Sequence, residues 1–387
     1  MTSPLAQETS VSQGFSQQPL PTWRRAVLKV GSNLLTAGGQ QLSPQHARGL
    51  ADFVLASRAQ GREIVIVSSG AVAAGRARMH EDAGGLVARQ ALAALGQTRM
   101  VALWQELLGA IPVAQVLLAH DDLRNRRRYL NARNTLLELL RLSAVPVINE
   151  NDTVAVEELK LGDNDNLAAI VAALVDADLL LIASDVDGLY DAHPLLDPNA
   201  RPVEAVAAVT PEVLAMAGAA GSTHGTGGMI TKLQAATKAA NAGITTVLFN
   251  GTRAETVALL GAGAFRGTRF AAASSRLAAR KYWLRHAPGA DARIRVDAGA
   301  ARALASGKSL LPGGIAGVDG EFARGDIVEI VCDHVPVARG LVQYNAGEVR
   351  RLAGKQSREI ETILGFSYGD EVLHRNDLVV LNEGATA

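Results

Sequence analysis

A single cysteine, Cys332, in 387 residues excludes an intrachain disulfide framework and any site built from several thiolates. It points to a reducing compartment, so the cytoplasm is the expected location. An excess of charge of one sign is missing too: 38 basic side chains stand against 38 acidic ones, which removes the electrostatic case for a chain dedicated to nucleic acid or to membrane surfaces. No long apolar run is present either. The nearest candidate, "LAAIVAALVDADLLLIAS", is interrupted by Asp176 and Asp178 and changes from a helical to a strand pattern, so no membrane span is expected. The first 21 residues, rich in Ser, Gln, Thr and Pro, contain neither a basic nor an apolar leader region; they predict a disordered tail over 1–21.

What the chain does contain is 48% hydrophobic residues, enough for substantial cores, at a length that favours two domains. Short apolar runs, "AVLKV", "EIVIVSS", "IPVAQVLL", "AVPVINE", "DLLLIAS" and "TTVLFN", alternate with helix-length segments such as "LVARQALAALGQTRMVALWQELLG" and "YLNARNTLLELLRL". Strands apolar throughout are buried on both faces, which predicts an α/β fold: a three-layer αβα sandwich with a mainly parallel central sheet over residues 22–275. A linker is expected at 276–291. From 292 to 380 the strands are short and Gly-punctuated, as in "GEFARGDIVEIVC", which predicts a small β-rich second domain.

In parallel sheets ligands collect beyond the carboxyl ends of the strands, and there the polar residues gather. Lys29 sits inside an apolar strand and is followed by Gly31 and Ser32, a pattern able to bring backbone N–H groups and a hydroxyl to an anion. Ser69 and Gly70 follow the second strand and suit either a helix N-cap or a carboxylate site. "VINENDTVA" and "GDNDNLAA" bring together Asn149, Glu150, Asn151, Asp152, Asp163, Asn164, Asp165 and Asn166 without His, Cys or Ser, so triad chemistry is excluded. Some of these residues are expected to make Asx turns and caps. "ASDVDGLYDAHP" follows the fifth strand, and in "HGTGGMITK" a glycine-rich loop precedes a helix that carries Lys232 in its first turn. This spacing fits neither the Walker A nor the dinucleotide pattern. "SGKS" at 306–309 is no Walker A ending, because its first glycine position is Arg302. The run "RNRRR" at 124–128 reads as a solvated helix face.

Taken in order, "KVGSNLLT", "VSSGAVAAG", "YLNARNTL", "VINENDTVA", "GDNDNLAA" and "GTGGMITK" resemble the amino acid kinase family, in the branch that acts on L-glutamate. "GKSLLPGGI", "GEFARGDIVEI" and "ARGLVQYN" resemble a PUA domain, a small module also found in RNA-modifying enzymes. Departures from the family pattern are few: Ser68 for Thr, "IASD" for "LLTD", and His193 for Asp in "YDAHP", where a turn is expected.

The resemblance implies ATP-dependent transfer of a phosphoryl group to the side-chain carboxylate of L-glutamate, with Mg²⁺, in a homo-oligomer (dimer or tetramer) inhibited by proline. It implies Lys29, Lys232 and Asp165 as the catalytic set and Ser69, Asp152 and Asn164 as the glutamate site. Nucleotide contacts are implied at Lys29, Ser184, Asp185, Thr226, Gly227, Gly228, Met229, Ile230, Thr231 and Lys232, and no protein metal ligand is implied. The alternatives are a related small-acid kinase of the N-acetylglutamate type, or a protein that binds RNA or regulates through its PUA-like part. A carboxylate acceptor, with a pKa of about 4.3, is ionised at neutral pH and needs no general base. The obstacle is repulsion: two unit charges at about 4 Å cost roughly 4 kcal/mol at an effective dielectric near 20, and cations must offset it.

Overall fold

All six expected strands form in the computed structural model, which describes residues 14–36, 41–77, 85–119, 122–123, 125–154, 164–194, 196–218, 228–273, 281, 284 and 291–381. Strands β1 (Gln18–Pro19), β2 (Arg25–Val30), β3 (Glu63–Ser68), β4 (Val113–Leu118), β5 (Val145–Glu150), β6 (Leu179–Ser184), β7 (Leu189–Tyr190), β8 (Pro202–Val203), β9 (Ala205–Val206), β10 (Thr245–Asn250), β11 (Ala264–Phe265) and β12 (Thr268–Phe270) precede residue 274. With them come helices α1 (Ser32–Thr36), α2 (Pro44–Ala59), α3 (Ala71–Arg76), α4 (Leu86–Leu108), α5 (Arg126–Arg141), α6 (Asn164–Leu174), α7 (Pro211–Gly218), α8 (Met229–Asn241) and α9 (Ala254–Gly261). The chain divides into two compact units, 1–123 with 132–274, and 124–131 with 275–387.

The main sheet of the first unit has eight strands in the order β4-β5-β3-β2-β6-β10-β12-β9. Its first six run parallel, and β12 is antiparallel to β10. Alternation along β2 decides what each face receives. Ala26, Leu28 and Val30 enter a core with Leu50, Val54, Met100 and Trp104 from α2 and α4. Val27 and Lys29 therefore face the opposite way, the side on which Asp165 of α6 meets Lys29. A lysine in a strand buried on both faces is costly unless paired, so the fold sets the position and the pairing of Lys29 together.

The tail expected to be disordered over 1–21 is ordered from residue 14. Gln18 and Pro19 pair antiparallel with Phe265 and Ala264, Leu20 packs on the core, and the buried Phe15 sets its ring edge-on to Tyr190 at 5.2 Å. Composition averaged over the whole tail concealed two apolar anchors. Residues 1–13 and most of the linker expected at 276–291 lie outside the described residues. His193 does make a turn, its carbonyl accepting from the N–H groups of Leu196 and Asp197. Within the run at 124–128, Asn125, Arg127 and Arg128 are exposed, whereas Arg124 and the side chain of Arg126 lie outside the described residues.

The second unit carries a five-stranded sheet of β13 (Arg293–Val296), β14 (Ile315–Asp319), β15 (Ile327–Cys332), β16 (Val335–Leu341) and β17 (Leu378–Val380), in the order β14-β13-β15-β16-β17. Its core gathers Ile294, Val328, Ile330, Ala338, Tyr344 and Leu373. Asp333 and His334, with φ of 49° and 65°, form the tight turn between β15 and β16, as a two-residue hairpin loop requires.

Helices α3 and α4 touch through backbone. A Cβ on Gly96 would stand 1.8 Å from the Ala71 carbonyl oxygen, and one on Gly75 would stand 2.0 Å from the Leu92 carbonyl oxygen. Glycine in mid-helix costs about 1 kcal/mol relative to alanine, but here the clash is with main chain that has no flexible end to move. Gly96→Ala is expected to lower stability by about 1–3 kcal/mol despite its better helix propensity, read as a fall in urea midpoint at constant slope; a rise would show that the two helices are not in backbone contact.

A candidate active site at the strand ends

β2, β3, β5, β6 and β10 all end on one edge of the sheet, and α6 and α8 bring their N-terminal turns to it. Asp165, the second residue of α6 and fully buried, lies between two lysines: Lys29 Nζ is 2.6 Å from Oδ1 and Lys232 Nζ 3.2 Å from Oδ2. Lys29 meets Oδ1 as an ion pair, and Lys232 donates to Oδ2. Thr231 Oγ1 is 3.0 Å from Oδ2 and 2.7 Å from the Gly228 carbonyl oxygen, and its one proton serves either.

Both lysines are only 6% exposed. Two ammonium groups around one carboxylate leave the trio with a net single positive charge. Burial is the largest influence on Asp165 and pushes its carboxyl pKa up. The charges of Lys29 and Lys232, with their hydrogen bonds, outweigh burial and hold it below the ordinary value. Its place in the first turn of α6 favours the anion further. Lys232, the fourth residue of α8, sits at the positive end of its helix, and Asp165 offsets this. The α8 N-cap, Gly228, has no side chain to cap the helix, and N–H groups at a helix start suit an anion.

A second set of contacts runs alongside. Asn164 Nδ2 donates to Ser69 Oγ at 2.7 Å and to Asn149 Oδ1 at 2.9 Å, and Asn149 Nδ2 donates to Gln97 Oε1 at 2.9 Å. Ser69 is not a helix cap: Gly70, at φ 102°, occupies the N-cap of α3 and only glycine adopts that conformation freely. The Trp104 indole N–H donates to Ser68 Oγ at 2.9 Å and fixes the strand end before it. Asp152 lies half-buried in the turn after β5.

At the end of β6, Ser184 Oγ donates to Asp185 Oδ1 at 3.2 Å and Asn33 Nδ2 to Asp185 Oδ2 at 2.7 Å. Burial pushes the Asp185 carboxyl up; the hydrogen bonds from Asn33, its own backbone and Ser184, with the charge of Lys232, bring it below its usual range. Gly228, Met229, Ile230, Thr231 and Lys232 form the start of α8, while Thr226 and Gly227 lie outside the described residues. Asn33 and Gln97 join these networks without having been singled out in the sequence, whereas Asn149 belongs to the polar cluster read there. Gln97 had a legible signal, a polar residue in the apolar stripe Ala93, Met100 and Trp104 of α4.

Asp165→Asn keeps the shape and removes the charge between two buried cations, and losing one partner of a buried pair costs about 3–5 kcal/mol. Because the native pKa of Asp165 is depressed, its stabilising contribution is full above the unfolded-state value and is lost as pH falls through the lower native value. Chemical unfolding is expected to show the full deficit of Asp165→Asn at pH 7 and a narrowing gap to the parent below the ordinary carboxylate range. A gap independent of pH would mean that the aspartate's charge is not what stabilises the trio.

The amino acid kinase family model matches residues 24–250, and the PUA domain model matches 292–364. A glutamate 5-kinase of Xanthomonas axonopodis pv. citri (strain 306) is 64% identical over 364 residues, covering 92% of this chain and 100% of the relative. A glutamate 5-kinase of Xylella fastidiosa (strain M12) is 60% identical over 376 residues, covering 95% and 98%. Among solved structures, a carbamate kinase from Giardia lamblia bound to AMP-PNP matches at 15% identity with a TM-score of 0.46, covering 64% of this chain and 98% of that one. With more than half of its length on the family model and relatives this similar along almost all of it, the chain belongs to the amino acid kinase family and carries a C-terminal PUA domain.

Proposed function

We propose that this chain catalyses ATP-dependent phosphorylation of the side-chain carboxylate of L-glutamate to L-glutamyl 5-phosphate, the step that opens proline biosynthesis. The observation that carries the reading is the buried trio of Lys29, Asp165 and Lys232, set beside a polar chain at the strand ends in a protein whose relatives are named glutamate 5-kinases.

The trio's surplus positive charge suits the oxygens of a phosphoryl group in transfer, where preorganised charge is worth most. Asp165 keeps two like charges close together without drift and, with its depressed pKa, stays anionic at neutral pH. The start of α8, with Thr226, Gly227, Gly228, Met229, Ile230 and Thr231, receives nucleotide phosphates. Ser184 and Asp185 take the rest of the nucleotide, and Asn33 holds Asp185 in place. Mg²⁺, when bound with the nucleotide, supplies further neutralisation of the phosphate charge. Ser69 and Asn164 offer donors to the carboxylates of the amino acid, and Asp152 offers an anion to its ammonium group. No residue has to remove a proton from the acceptor, which accounts for a polar cluster at 149–166 without histidine. A homo-oligomer (dimer or tetramer), inhibition by proline and a cytoplasmic location complete the reading on the strength of the family; no helix among the described residues is long and apolar enough to cross a membrane.

Coupled ADP release across glutamate, aspartate, N-acetylglutamate and UMP is expected to be fastest with glutamate; equal or greater turnover with N-acetylglutamate would place the chain in the alternative class. Asp152→Ala is expected to raise the KM for glutamate with ATP affinity nearly intact, the signature of lost substrate binding. Asp165→Ala is expected to lower kcat by about 10²–10³. Steady-state kinetics of both variants, with circular dichroism to establish folding, check the assignment, and the reverse pattern would contradict it.

A further inference from the structure

We infer that Gln97 is a positioning residue of the glutamate site: it fixes the direction of the hydrogen-bond chain Gln97–Asn149–Asn164–Ser69, and so keeps the Ser69 hydroxyl proton available to a substrate carboxylate. The inference deepens the reading above and rests on its assignment of Ser69 and Asn164 to the acceptor.

Gln97 is 7% exposed and Asn149 3% exposed, and both occupy the interior. Amide groups present a donor at one end and an acceptor at the other, and their orientation follows from the network they join. The same heavy-atom positions accept two senses of bonding. In the first, Asn164 Nδ2 donates to both Ser69 Oγ and Asn149 Oδ1, and Asn149 Nδ2 donates to Gln97 Oε1. The Ser69 oxygen then only accepts, and its proton is not committed to the chain. In the reverse sense all three amides are turned: Ser69 spends its proton on Asn164, Asn164 also accepts from Asn149, and Gln97 donates to Asn149.

A carboxylate needs donors, so the first sense is the one competent to bind it. Gln97 makes that sense affordable, because Oε1 is the acceptor for the buried Asn149 Nδ2. Without it, the first sense strands Asn149 N–H groups in the interior, whereas the reverse sense leaves only a carbonyl oxygen bare, and orphaned buried N–H groups are the rarer and costlier of the two. Removing Gln97 therefore reverses the chain and withdraws the Ser69 proton. The first sense has a cost of its own: Gln97 Nε2 is buried with no partner among the described residues. A residue kept for packing alone would not carry that cost; one kept for its acceptor oxygen must.

The test is a double-mutant cycle on the full-length protein, read as the KM for glutamate and the KM for ATP. Gln97→Met, of similar shape but without the amide, is expected to raise the glutamate KM about tenfold, the factor of one hydrogen bond, with the ATP KM changed less than twofold. Ser69→Ala is expected to raise the glutamate KM by itself, and in that background Gln97→Met is expected to change it less than twofold, because there is no hydroxyl proton left to direct. An unchanged glutamate KM in Gln97→Met, or its full factor recurring in the Ser69→Ala background, overturns the role. Should Gln97→Met not fold, Gln97→Glu replaces it. A carboxylate there only accepts and enforces the first sense, so a glutamate KM within about threefold of the parent supports the role, and a rise as large as that of Ser69→Ala overturns it. A parent protein that does not turn over glutamate overturns the reading of the preceding section and this inference with it. A parent that does, with either contrary result, overturns the role of Gln97 alone.

Discussion

Three charges buried together, Lys29, Asp165 and Lys232, are the constraint around which the first unit is arranged. Each alone would be an expensive occupant of the interior, and each comes from a different element: a central strand, the start of α6 and the start of α8. The sheet and the two helices must dock correctly before the charges meet. The pairing therefore ties the stability of the fold to the geometry of the site. It also leaves a surplus of one positive charge, a property that serves an anionic reaction centre better than it serves folding.

The Asn/Gln/Ser chain beside it works on a different principle. It holds no formal charge in its links, and its energies come from which amide donates to which. The backbone contact of α3 with α4 at Gly75 and Gly96 sets this chain against the Ser69 turn, and the indole of Trp104 holds the neighbouring Ser68. One half of the site is thus organised by charge and the other by hydrogen-bond direction; the proposed function gives the first to the phosphoryl group and the second to the amino acid.

Much of this was legible in the sequence. Six largely apolar runs became the six parallel strands, five of them buried on both faces and β4, at the sheet edge, only partly, and Lys29 stood out because a cation inside such a run demands an anion. Which anion was legible only through the family resemblance: Asp165 lies 136 residues further on, and no periodicity links positions so distant. Gln97 went unread because a glutamine within an apolar helical stripe looks like a tolerated defect until its partner is seen. The reading of Ser69 as a helix cap gave way to Gly70, since the left-handed backbone at that position, φ 102°, was not visible in composition. The ordered residues 14–20 were hidden by their polar neighbours, although Phe15 and Leu20 hold them down.

The central claim is that Asp165 holds the two lysines for the transition state rather than for the ground state, and its most direct measurement is calorimetric. Titration of the parent and of Asp165→Ala with ADP, Mg²⁺ and aluminium fluoride in the presence of glutamate reports binding of a phosphoryl-transfer mimic, and titration with a non-hydrolysable ATP analogue reports the ground state. The account predicts that the substitution weakens the mimic by about the 10²–10³ factor of a lost preorganised charge contact and leaves the ATP analogue within a few-fold of the parent. Equal weakening of both, or undiminished binding of the mimic, would contradict it.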